Sequence, residues 1–177
     1  QTSAHAKDPK NDDIPKWAAD IDLNDLPDDR PRMDPMQFSA AYGERTDCRG
    51  LLQDTDKVGR IGWYCEHIDA RMLKTAIEGT VHAPRATRWD LIDIWIEVLM
   101  RDPDNDRLMR PDEFREQYRG ATGKRFSLHQ ADRLRWVITN HEAWLVAKAL
   151  GRTHSADHPG WRYFSSTLNG MREARDE

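Results

Sequence analysis

The chain has 177 residues, 38% of them apolar and 33% charged, with seven tryptophans and a net charge of −4. That length suits one domain with a real core, and the thin apolar share suits a helical protein or a subunit that completes its core against neighbours. No basic excess exists to displace counterions from phosphates, so no nucleic-acid partner is expected, and no apolar run reaches the roughly 18 residues that would mark a membrane span.

Residues 1–36 hold five basic and nine acidic side chains, whereas 37–177 hold equal numbers of each sign. Pro9, Pro15, Pro27, Pro31 and Pro35 interrupt any helix there. The expectation is an extended acidic arm over 1–36, with a short helical turn at Pro15–Asp20, and a helical domain over 37–177. Trp17, Ile21, Leu23 and Leu26 are the arm's apolar anchors, placed to bind a partner. The start at Gln1 fits a chain from which a targeting segment was removed, and equally a trimmed one.

Helical signals follow in order. Met36–Tyr42 before Gly43 reads as a short helix with a glycine stop, and 47–53 as a further turn. Over 63–78, Tyr64, Ile68 and Met72 recur every four residues beside Leu73 and Ile77, with Gly79 at the end. Thr87-Arg-Trp-Asp90 has the spacing of a capping box. It opens a run to Arg101 that is apolar around most of its circumference, so this helix should be central. Pro111 opens the next helix and Gly120 closes it. Ser127-Leu-His-Gln130 is a second capping-box spacing, followed by helices through Ile138, from Trp144 to Leu150 with Gly151 as stop, and from Pro159 to Met171. No window alternates as a strand does. The fold class is all-α, about seven helices arranged as antiparallel hairpins.

The polar connector Asp102–Glu113 admits two readings. In one, Pro111-Asp112 starts a new helical unit after the helix that ends at Arg101. This succession resembles a pentatricopeptide-type repeat, and Pro159–Met171 looks like the first helix of such a unit. The resemblance covers 63–177. Short members of that kind without RNA binding serve as accessory subunits of mitochondrial assemblies, including one on the catalytic head of ATP synthase in euglenozoans. The resemblance thus implies a mitochondrial structural subunit bound to other proteins of a hetero-oligomer, with ATP synthase as the assembly it suggests.

In the other reading the connector is similar to an EF-hand calcium loop. Asp102, Asp104, Asp106, the Leu108 carbonyl and Glu113 would be the oxygen ligands at positions 1, 3, 5, 7 and 12. Arg107 stands where that loop needs a glycine, at a cost of about 1 kcal/mol. Arg101 and Arg107 with Arg110 also offset the attracting charge. The one possible partner loop, Asp54–Ile61, has Cys65 in place of the closing glutamate. A solvated connector is therefore the reading adopted, with calcium as the alternative.

His154-Ser-Ala-Asp-His158 is bracketed by Gly151 and Pro159 and reads as a loop, not a zinc face. Cys65-Glu-His67 places neighbours on different sides of a helix. Cys48 and Cys65 could pair if the compartment oxidises. No catalytic constellation emerges. The sequence points to a non-catalytic, cofactor-free, protein-binding subunit of a larger complex.

Overall fold

The computed structural model describes residues 13–23 and 27–176, and Leu26 lies outside them. The fold is all-α, with eight α-helices and no strand among the described residues. The chain divides into two compact units, 1–88 and 89–177. The composition break at 36/37 falls inside the first unit, into which the described residues around Trp17 pack.

In the first unit, α1 (Pro35–Thr46) starts at a capping box, Asp34 accepting from the Gln37 amide while Gln37 accepts from the Asp34 amide. It runs through Gly43 and stops only at Asp47, which takes the left-handed conformation at φ 56°. The 47–53 turn is a 3-10 turn, Leu51–Gln53. The continuous helix expected over 63–78 is two helices, α2 (Thr55–His67) and α3 (Ala70–Thr80). Ile68 is extended between them, and the Asp69 carboxylate takes the Arg71 amide as an N-cap. An aspartate that captures a free backbone N–H competes with helix continuation, which the apolar spacing alone does not reveal. Phe38, Ile61, Tyr64, Ile68, Leu73 and Ile77 make the core. Arg88 staples the unit's end, its guanidinium donating to the carbonyls of Thr46, Val81 and Ala83.

The described part of the arm joins this core. The expected turn is the 3-10 segment Lys16–Asp20, and it buries Trp17 edge-on to Trp63. Arg60 donates to the Asp13 carbonyl at 3.1 Å. Gly59 lies under Asp13, so close that a Cβ there would stand 2.1 Å from its carboxylate.

α4 (Arg88–Arg101) leads into the second unit, with buried residues on every side from Leu91 to Leu99. The Thr87 amide, which the expected capping box would give to Asp90, donates to the Pro84 carbonyl at 2.9 Å. The Thr87 hydroxyl donates to the same carbonyl, holding a 3-10 turn before the helix. α5 (Pro111–Thr122) begins at its proline but passes Gly120, and Gly123 at φ 73° supplies the left-handed stop. Ser127 makes no side-chain cap; a 3-10 turn at Leu128–Gln130 leads into α6 (Ala131–Asn140). α7 (Ala143–His154) runs through Gly151, and α8 (Trp161–Asp176) packs against it. Phe114, Tyr118, Phe126 and Phe164 form an aromatic core with centroids 5.3–6.3 Å apart.

Candidate functional site

Asp102 is 2% exposed, and its two carboxylate oxygens face the chain's own backbone. They accept the amides of Asp106, Arg107 and Leu108 at 3.2, 3.0 and 2.8 Å, with the Arg110 guanidinium 3.6 Å away. Arg110 also donates to the Asp102 carbonyl at 2.8 Å. Burial opposes the charge, but these backbone bonds outweigh it and hold the carboxyl down at about 2. Asp104 and Asp106 are exposed, and the Asp106 carboxyl is raised by its hydrogen bond to Asp102. The buried Leu108 brings its amide to Asp102. Glu113 is exposed on the first turn of α5 and accepts from Gln117. The left-handed residue of the connector is Asn105, at φ 57°, so Arg107 does not bear the strain that an EF-hand register assigns to it.

Of the arm residues, Trp17 is buried on its own chain and Ile21 and Leu23 are half-buried. The anchor that the sequence assigns to a partner is thus occupied within the first unit. His154 ends α7 and His158 lies in the turn before α8, both exposed. Among the described residues, no three His, Cys, Asp or Glu side chains converge as a metal site. Cys48 and Cys65 are free thiols. No helix among the described residues is long and apolar enough to cross a membrane.

A polar network inside the second unit was not legible from spacing. Glu97, 2% exposed on α4, accepts from Arg101 at 2.7 Å and from Arg135 of α6, which also reaches Asp93 at 2.7 Å. Two guanidiniums thus compensate the buried carboxylate, and Arg135 ties α4 to α6.

The feature best suited to recognition lies on α7 and α8. The core face of α7 is Leu145, Val146, Ala149, Leu150 and Thr153. That leaves Trp144, Lys148 and Arg152, at i, i+4 and i+8, on one outer face. Trp144 is 53% exposed and Tyr163 of α8 is 42% exposed. Between them runs a groove of about 430 Å³ whose apolar lining includes Leu145, Met171 and Ala174. Lys148, Arg152 and Arg175 line it with no carboxylate among the lining residues. The indole is fixed rather than loose, since its N–H donates to Glu142 at 2.5 Å and Arg175 lies 5.7 Å over its ring. No protein-family model, curated protein or solved structure matches this chain.

Proposed function

We propose that this chain is a non-catalytic, protein-binding subunit of a larger assembly, and that the α7–α8 groove receives an acidic segment of its partner bearing an apolar side chain. The exposed Trp144 carries the reading. A pre-positioned indole beside a tyrosine offers large contact area at little entropic cost, the profile of an interface anchor. Lys148 and Arg152, with no carboxylate among the lining residues and with Arg175 already paired to Glu142, favour an acidic occupant. The pentatricopeptide-type resemblance supports a mitochondrial setting, with the catalytic head of ATP synthase as the assembly it suggests.

The test is competitive incorporation of native and Trp144→Ala chains into the native assembly. Because Trp144 is mostly exposed, the variant should fold normally. Loss of an anchor contact should reduce its share of the assembled material at least about tenfold. Lys148→Glu should act in the same direction. Equal incorporation of folded native and variant chains would exclude this groove as the interface.

A further inference from the structure

A second groove in the same unit, also about 430 Å³, lies where the connector after α4 meets the α6–α7 junction and α8. Arg107, Arg172 and Arg175 line it with Glu142 and His141. The Ala143 amide donates to the Arg107 carbonyl at 2.7 Å, which fixes the connector against the start of α7. Three guanidiniums face one carboxylate, and that carboxylate already accepts from Arg175 and Trp144. The groove is therefore electropositive by construction.

His141 gives it chemical selectivity. The residue is 4% exposed, and its Nδ1 lies 2.8 Å from the Val137 carbonyl. A carbonyl only accepts, so Nδ1 carries the proton and, in the neutral ring, Nε2 carries the lone pair. Burial lowers the imidazole's affinity for a second proton; the Val137 bond opposes this and the Arg172 charge adds to it, leaving the net shift downward. Nε2 is buried and finds no hydrogen-bond partner among the described residues. A buried nitrogen in that state costs about 1–3 kcal/mol unless something donates to it.

We propose that this groove binds a protonated phosphate group, either inorganic phosphate or a phosphomonoester, with Arg107 and Arg172 holding its anionic oxygens and with the now-covered His141 Nε2 turned toward the groove on binding to accept from its P–OH. At about pH 6, where half of a monoester still carries its P–OH, sulfate and carboxylates offer only acceptors, so they would set a lone pair against Nε2. Phosphate brings charge and a proton together, since the second ionisation of a monoester lies at about 6. The groove has room for more than the bare ion, which admits a monoester with its substituent. The site shares Leu145 and Arg175 with the Trp144 groove, but it does not rest on the partner reading.

The experiment titrates the full chain with inorganic phosphate, phosphoserine and sulfate at matched ionic strength and about pH 6, at the second ionisation of a monoester. Calorimetry and the His141 imidazole resonances are the readouts. Phosphate or phosphoserine should bind saturably, shift the His141 resonances and bind at least about tenfold tighter than sulfate. The tighter of the two identifies free ion or monoester as the natural form. Arg172→Ala, an exposed position, should weaken every anion about tenfold. His141→Asn keeps a donor for the Val137 carbonyl, removes Nε2, and should abolish the preference over sulfate. Absence of saturable binding, equal affinity for sulfate, or an unmoved His141 resonance overturns the proposal. The last readout decides on the native chain even if His141→Asn does not fold.

Discussion

Trp17 stands edge-on to Trp63, with ring centroids 5.8 Å apart and planes at 86°. Both rings are buried, at 6% and 7% exposure. The part of the acidic arm around Trp17 therefore belongs to the first unit's core, despite a composition that reads as a free extension. Trp17→Ala should destabilise that unit by about 3–5 kcal/mol, as for other buried aromatics. Denaturant unfolding of the full chain measures it, and a loss below about 1 kcal/mol would place the arm's anchor elsewhere. Gly59→Ala is a milder probe, expected to push the Asp13 carboxylate off α2 and raise hydrogen exchange near residue 13.

Glu97 offers a second test. Removing Arg135 leaves its buried carboxylate with Arg101 alone. Breaking one member of a buried ionic network costs roughly 3–5 kcal/mol, mostly from uncompensated charge. Arg135→Ala should approach that range, and Arg135→Ala with Glu97→Gln should recover part of it. An Arg135→Ala loss under about 1 kcal/mol would mean that solvent or Arg101 already compensates Glu97.

The helical class was legible because apolar residues recur at helical spacing and nowhere alternate. Boundaries were less so, for a physical reason. Gly43, Gly120 and Gly151 are tolerated inside helices, whereas the true left-handed stops are Asp47 and Gly123. The working capping box, Asp34 to Gln37, had the right spacing in a proline-rich stretch that composition assigned to the arm. Trp144 could have been found by asking which α7 residues fall off the Leu145–Val146–Ala149–Leu150 stripe. The His141 groove could not, since it gathers residues from the connector, a helix junction and α8.

Trp95 separates volume from polarity. It is 6% exposed, and its indole N–H is buried without a partner among the described residues. Trp95→Ala should cost about 3–5 kcal/mol through the cavity left behind. Trp95→Phe keeps most of the ring volume and removes the unsatisfied donor, so it should cost less than about 1.5 kcal/mol. Equal losses for the two variants, measured by denaturant unfolding, would contradict the assignment of its stability to packing.

The connector supplies the last prediction. Asp102 is held at about 2 against an ordinary 3.8, so the folded state binds its proton less readily than the unfolded chain does. Its contribution is fully present above about pH 4 and disappears as the pH falls through about 2, offset in part by Asp106, whose carboxyl is raised by its hydrogen bond to Asp102. Asp102→Asn keeps one acceptor oxygen but loses the charge opposite Arg110, so it should remove most of this acid-sensitive stability. Because three backbone amides already occupy the carboxylate, titration with calcium at physiological ionic strength should show no binding tighter than about 1 mM. Micromolar binding abolished by Glu113→Gln would instead require Asp102 to release those amides, and would make the connector a cation loop. An unchanged acid-unfolding profile in Asp102→Asn would independently show that the carboxylate's charge does not stabilise the fold.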